Sequence, residues 1–95
     1  MRLFLRLTAE INNRLRFLTR YQGDLSGFID EALMSCDLPN INLIPATLES
    51  TSRGLTAVIS LAANTRLRGV AKRRGCTVTT LANSALHRWL TAKHV

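Results

Sequence analysis

The chain begins with a short stretch in which leucines alternate with other side chains. Its sequence, RLFLRL, occupies residues 2–7. Because successive side chains of a β-strand point to opposite faces, this alternation predicts a strand with three leucines on one face and Arg2, Phe4 and Arg6 on the other. A single short strand is not stable alone, so the leucine face requires a partner from the rest of the chain.

Two helical patterns follow this strand. Residues 8–23 and 24–36 predict helices, because apolar side chains recur every three or four positions. The apolar stripes consist of Ile11, Leu15 and Leu18 in the first helix and of Leu25, Phe28, Ile29, Ala32, Leu33 and Cys36 in the second. Thr8 and Asp24 are suited to be the two N-caps, and Gly23 to be the C-cap between the helices.

The second half of the chain repeats the pattern of the first. TAEINNRLRFLTRYQG at 8–23 aligns with SLAANTRLRGVAKRRG at 60–75 at a shift of 52 residues, and both segments contain Arg-Leu-Arg and end in glycine. The next helix recurs at a shift of 53, where Thr77 takes the N-cap position of Asp24. The matching apolar positions of a second strand are Leu55, Ala57 and Ile59. We interpret this periodicity as a duplication of a strand-helix-helix unit.

The two halves are expected to share one core, because a unit of about forty residues buries too little surface to be stable alone. The expected fold class is mainly α with a two-stranded antiparallel β-ribbon, in which both halves form an intramolecular pseudo-dimer within a single domain, residues 1–95. The repeats cover 2–36 and 54–91, and a connector covers 37–53. The connector residues expected to cover apolar surface are Leu38, Ile41, Leu43 and Ile44. The side chains expected on the open face of the ribbon are Arg2, Phe4, Arg6, Thr56 and Val58.

Composition favours an anionic partner. The 95 residues include 13 Lys+Arg and 6 Asp+Glu, which gives a net charge of +7, and 46% of the residues are hydrophobic. Residues 1–37 are balanced, with five basic and five acidic side chains, whereas residues 38–95 carry eight basic side chains and Glu49 alone (8 − 1 = +7). Such a balance favours nucleic acid or an acidic membrane surface.

Other features narrow the class of protein. Cys36 and Cys76 stand forty positions apart, which indicates reduced thiols in a cytosol. No apolar run reaches the length of a signal peptide or of a membrane span, so we expect a cytoplasmic protein with no membrane partner. His87 and His94 lack a nearby carboxylate or thiol, which argues against a metal site. We expect no enzyme, no cofactor and no small-molecule ligand, because no catalytic motif is evident.

Together these features resemble the ribbon-helix-helix DNA-binding family, which includes the Arc and MetJ repressors. The resemblance rests on a short strand, a helix ending in glycine, an Asp or Thr N-cap, and a second helix that carries FIDEAL (28–33) or LANSAL (81–86). It covers both halves, and a tandem copy in one chain is similar to the TraY-like variant, in which one polypeptide forms a pseudo-dimer. The resemblance implies a ribbon that enters the major groove of double-stranded DNA.

The resemblance also implies two groups of DNA contacts. The base-contacting positions are Arg2, Phe4, Arg6, Thr56 and Val58. Arg can bind guanine O6 and N7, Thr can hydrogen-bond several bases, and Phe or Val can contact a thymine methyl group. The phosphate-contacting positions, around the start of the last helix, are Lys72, Arg73, Arg74, Gly75, Thr77 and Val78. In the first half the matching cap is Asp24, whose charge would repel a phosphate.

The implied function is sequence-specific binding of double-stranded DNA by a transcriptional repressor or by an accessory factor on plasmid DNA, in the nucleoid or on a plasmid. Side-by-side self-association on DNA is expected, because one small module buries little surface on DNA. One alternative is an antitoxin-like module that binds a protein toxin. Another is a basic helical protein on an anionic membrane, against which Asp30 and Glu31 count.

Several of these residues also have purely structural interpretations. Arg2 and Arg6 can protect an exposed strand edge, and Phe4 can fold back onto the helices. The basic run 72–74 can stabilise the dipole of the helix that it ends. We expect Trp89 to pack in the core. The arginines expected on solvated helix faces are Arg14, Arg16, Arg66 and Arg68.

Overall fold

The computed structural model describes residues 2–22, 24–44 and 51–93, which contain two strands and four helices. In chain order these are β1 (Arg2–Thr8), α1 (Ala9–Gln22), α2 (Leu25–Ser35), β2 (Thr51–Val58), α3 (Leu61–Arg74) and α4 (Val78–Ala92). The two strands pair in an antiparallel sheet. A mainly helical protein with a two-stranded antiparallel sheet is the fold class that the sequence predicts, and it is compatible with a ribbon-helix-helix-like fold. β2 begins at Thr51, inside the range assigned to the connector.

The four helices begin where the sequence predicts. Each starts after a side-chain oxygen that accepts a hydrogen bond from the backbone N–H three residues further on. These bonds are Ile11 to Thr8 (3.3 Å), Gly27 to Asp24 (3.0 Å), Ala63 to Ser60 (3.1 Å) and Thr80 to Thr77 (3.0 Å). Each such cap stabilises its helix by about 1 kcal/mol. Gly75 ends α3 with φ 67°, the left-handed conformation that favours glycine. The other predicted C-cap, Gly23, lies outside the described residues.

The inward face of the sheet is buried as predicted. The relative exposures are 2% for Leu3, 0% for Leu5, Leu7 and Ala57, and 3% for Ile59. Full burial of one leucine side chain contributes about 1.5–3 kcal/mol, so this face contributes strongly to the core. The side chain of Leu55, the remaining predicted inward position, lies outside the described part of the chain. Behind the sheet, all four helices contribute buried side chains, including the predicted core residue Trp89.

The described part of the connector packs onto the helices. Leu38 is fully buried, and Ile41 and Leu43 are partly buried against the core, as predicted. Ile44 covers less apolar surface than expected, because its side chain is 40% exposed. Its backbone N–H donates instead to Ser84 Oγ at 2.8 Å.

The prediction of solvated helix faces is wrong for Arg14 and Arg66. The Arg14 side chain is 19% exposed, its Nη1 lies 3.2 Å from His87 Nδ1, and its Nη2 donates to Thr91 Oγ1 at 3.1 Å. The Arg66 guanidinium donates to the carbonyl oxygen of Cys36 at the end of α2. Arg positions its long apolar stem along a helix surface while its head binds a polar group beyond it. The remaining pair, Arg16 and Arg68, is exposed as expected.

Candidate nucleic-acid interface

The outward face of the sheet is formed by three cross-strand pairs. Arg2 lies opposite Val58, Phe4 opposite Thr56, and Arg6 opposite Gly54. Phe4 is 63% exposed and Val58 60% exposed, while Arg6 is half-buried. The sequence therefore assigned every base-contacting candidate to the correct face. Phe4 and Val58 thus add exposed apolar surface beside the arginines of this face.

Phe4 stays on this outward face and does not fold back onto the helices. Its ring lies over the backbone of Gly54, since a Cβ atom at position 54 would come within 2.6 Å of the ring Cζ and 3.0 Å of Cε2. The ring thereby crosses diagonally from its own pair to the next one. Sequence reasoning missed this role of Gly54, although a glycine diagonally opposite an aromatic residue on a short ribbon is the signal that could have indicated it.

One end of the ribbon is attached to α4. Asn83 of α4 donates from Nδ2 to the carbonyl oxygen of Arg6 at 2.9 Å, and its Oδ1 accepts from the N–H of Thr8 at 3.0 Å. Asn83 is 2% exposed, so these bonds satisfy backbone groups away from water. The N-terminal half of α4 therefore flanks the end of the ribbon that carries Arg6 and Gly54.

The other end is attached to α2. The N–H of Val58 donates to Ser26 Oγ at 3.0 Å, and the N–H and Oγ of Ser60 both donate to Asp30 Oδ1, at 2.7 and 2.9 Å. The start of α2 therefore flanks the end that carries Arg2 and Val58. Asp30 and Asn83 were not among the predicted site residues, although the repeat shift of 53 aligns them with each other.

The predicted phosphate-contacting residues surround the turn between α3 and α4. Lys72, Arg73, Gly75 and Thr77 are exposed, and Val78 is half-buried. Arg74 is engaged elsewhere, because its Nη1 donates to the carbonyl oxygens of Leu38 at 3.0 Å and Ile41 at 2.7 Å. Arg74 thus fastens the connector to α3, and a phosphate contact by it stays a prediction. At the start of α2, the Asp24 carboxylate accepts from Gly27 N–H, which leaves a negative charge at that helix end.

A groove lies between the connector and the C-terminal half of α4. Its volume is about 810 Å³, and its lining includes Cys36, His87 and Trp89. The Cys36 thiol donates to the carbonyl oxygen of Ala85 at 3.4 Å, and burial raises the pKa of this thiol above its ordinary value. Within the described residues no three His, Cys, Asp or Glu side chains lie close enough together to hold a metal ion.

The sequence and the fold were compared with those of known proteins. No protein-family model, curated protein or solved structure matches the chain significantly. Across the described residues, no helix has the length and apolar character needed to cross a membrane.

Proposed function

We propose that the protein is a tandem ribbon-helix-helix protein that binds double-stranded DNA by inserting the outward face of its ribbon into the major groove. The observation that carries this proposal is the chemistry of that face, where Arg2 and Arg6 flank an exposed aromatic ring on a sheet whose opposite face is buried against the helices. Protection of an exposed strand from aggregation accounts for Arg2 and Arg6 but leaves the exposed Phe4 and Val58 unexplained.

The strand register supports the pseudo-dimer. The sequence repeat aligns position 4 with position 56, a shift of 52, and Phe4 lies directly opposite Thr56 in the sheet. An antiparallel pair related by a two-fold axis has equivalent residues facing each other at the axis. Repeat and register therefore agree, although the shift was obtained from the sequence and the register from the fold.

The hydrogen bonds at the two ends of the ribbon support it further. Thr8 and Ser60 are equivalent at a shift of 52, and Asp30 and Asn83 are equivalent at a shift of 53. The N–H of Thr8 donates to Asn83, and the N–H of Ser60 donates to Asp30. Each strand-to-helix junction is thus bonded to the second helix of the other half, as a pseudo-two-fold axis requires.

The outward face suits the major groove in size and in chemistry. Paired strands lie about 4.8 Å apart, and the groove of B-DNA is about 12 Å wide, so a two-stranded ribbon fits into it. Arginine can form two hydrogen bonds with guanine O6 and N7, and the methyl groups of Thr56 and Val58 can contact thymine. In this proposal the exposed Lys72 and Arg73, with the backbone of Gly75, Thr77 and Val78, contact phosphates beside the groove.

One ribbon covers few base pairs, so in this proposal specific affinity requires several copies bound side by side on DNA. That requirement fits a small transcriptional repressor or an accessory factor on plasmid DNA. The net charge of +7 supports a long-range attraction to DNA in either role.

The experiment that tests the proposal measures binding of fluorescent duplexes by anisotropy, after selection of a bound sequence from a random pool. Arg6→Ala is compared with Arg16→Ala, which removes the same charge from an exposed position on α1. We expect Arg6→Ala to cost about 1–3 kcal/mol on the selected duplex and to relax discrimination at one base pair. Arg16→Ala leaves discrimination unchanged.

Two results would contradict the proposal. One is an equal loss of affinity for selected and random duplexes with Arg6→Ala. The other is a wild-type protein that does not bind duplex DNA but co-purifies with a protein partner, which would favour the antitoxin-like alternative.

A further inference from the structure

The two strands of the ribbon present different chemistry at every described outward position. The outward residues are Arg2, Phe4 and Arg6 on β1 and Gly54, Thr56 and Val58 on β2. Across the ribbon, Arg2 faces valine and Arg6 faces glycine. All the positive charge of these three pairs therefore lies along β1, while β2 offers a hydroxyl and methyl groups.

A dimer of identical strands would carry the same residues on both sides of its axis. Such a symmetric reader matches a palindromic DNA site, in which both strands offer the same bases. This chain departs from that symmetry at the centre of the ribbon, where Phe4 faces Thr56. The register of the two strands is the one that a two-fold axis would give, whereas the side chains on the outward face are not symmetric.

We propose, on the premise of the proposed DNA binding, that the ribbon reads a non-palindromic site in one orientation. Arg2 and Arg6 contact two guanines on one DNA strand, and Thr56 and Val58 contact thymine methyl groups nearer the other strand. The two arginines are four residues apart on a strand that rises about 3.3 Å per residue, a distance of roughly 13 Å. With a rise of about 3.4 Å per base pair, the two guanines lie within about four base pairs of each other.

The elements at the two ends of the ribbon also differ in charge from each other. Near Val58, α2 begins at Asp24, whose carboxylate faces its own helix end. Near Arg6, α4 follows the exposed Lys72 and Arg73. The two flanks therefore offer unequal attraction to the DNA backbone, which favours one orientation over its reverse.

The test exchanges one pair across the ribbon. The double variant Arg2→Val/Val58→Arg moves an arginine from β1 to β2 without changing composition or net charge. Both positions are exposed, so urea unfolding is expected to give the wild-type free energy. Bound duplexes are then selected from a random pool with the wild-type protein, the exchange variant and Arg2→Val alone.

We expect the wild-type protein to select a site without two-fold symmetry, with two guanines on one strand. The exchange variant then moves one of these guanines to the complementary strand, and Arg2→Val alone loses the preference at that base pair without gaining one elsewhere. A palindromic wild-type site, or an unchanged site with both variants, would overturn the single-orientation proposal and leave DNA binding intact. Failure of the wild-type protein to enrich any sequence would overturn the proposed function itself.

Discussion

The ring of Phe4 lies over the backbone of Gly54, and a Cβ atom at position 54 would meet its Cζ at 2.6 Å. Among the described glycines, positive φ is found at Gly75 and not at Gly54. A side chain at position 54 is therefore opposed by an aromatic ring from the neighbouring strand, and not by an unusual backbone conformation. The ring lies on the face that we propose to enter DNA.

Replacing this glycine should give an effect that depends on Phe4. Gly54→Ala alone pushes the ring outward and loses its contact, which offsets the better strand propensity of alanine. In a Phe4→Ala background the space is empty, and Gly54→Ala should stabilise the protein by about 0.5–1 kcal/mol. Urea unfolding of the four proteins measures the coupling. The same change in both backgrounds would mean that the ring does not rest on Gly54.

Asn83 and Asp30 bind the two ends of the ribbon at equivalent positions of the repeat, and we expect them to contribute unequally to the free energy of unfolding. Asn83→Ala leaves the N–H of Thr8 and the carbonyl of Arg6 without their partner, and should cost about 1–3 kcal/mol of unfolding free energy. Asp30→Ala should cost about 1 kcal/mol, because its bonds to Ser60 are more exposed. Asp30→Asn restores the residue type found at position 83 and should recover most of this loss. If Asp30→Asn lowers the free energy of unfolding as much as Asp30→Ala does, positions 30 and 83 are not equivalent.

Two basic residues at the end of α3 should behave differently. Lys72→Ala removes an exposed charge, so it should weaken binding to all duplexes alike and lower the salt slope by about one, without affecting stability. Arg74→Ala breaks the bonds to the carbonyls of Leu38 and Ile41 and should cost about 1.5–3 kcal/mol of stability. Anisotropy over a salt series and urea unfolding separate the two. If Arg74→Ala keeps the wild-type stability but lowers the salt slope of DNA binding, Arg74 instead contacts a phosphate.

The free energy of unfolding should decrease at alkaline pH, in part because the Cys36 thiol is buried. Burial raises the pKa of this thiol in the folded protein above its ordinary value of 9.0. The stabilising contribution is therefore fully present below about pH 9 and is lost as the pH rises through the folded-state value, because the unfolded chain releases its proton first. Cys36→Ala should unfold with a smaller decrease between pH 8 and pH 10 than the wild-type protein. Identical decreases in the two proteins would contradict the assignment.

The two cysteines should react with thiol reagents at different rates, because Cys36 is buried and Cys76 is partly exposed. In the native protein a disulfide reagent should modify the partly exposed Cys76 first, while the buried Cys36 reacts on unfolding. The Cys36→Ala and Cys76→Ala proteins identify the two kinetic phases. A fast phase that survives in Cys76→Ala would mean that Cys36 is accessible in the folded state.

Local patterns were sufficient to predict the elements of this fold. Alternation fixed the inward face of β1, and helix caps at Thr8, Asp24, Ser60 and Thr77 fixed where the helices begin, since both effects act within a few residues. The repeat shift also implied the antiparallel partner of β1. These are properties of short segments, and the structure leaves them unchanged.

Contacts between distant segments could not be predicted in the same way. Arg14 and Arg66 resemble surface arginines in their own helices, and it is the neighbouring helix that supplies their acceptors. Arg74 lies in a basic run to which the family resemblance assigns phosphate contacts, yet it binds connector carbonyls more than thirty residues away in sequence. For Arg14 and Arg66 the partner comes from the other half of the chain, and for Arg74 it comes from the connector.

The measurement that tests the central claim most directly is an NMR titration of the isotopically labelled protein with a selected DNA duplex. We predict the largest amide shift changes at Arg2, Phe4, Arg6, Thr56 and Val58, together with the turn at 72–78. Leu67 of α3, which is buried behind the ribbon, serves as an internal control. Changes confined to the helices, with the ribbon signals unmoved at saturation, would contradict the account.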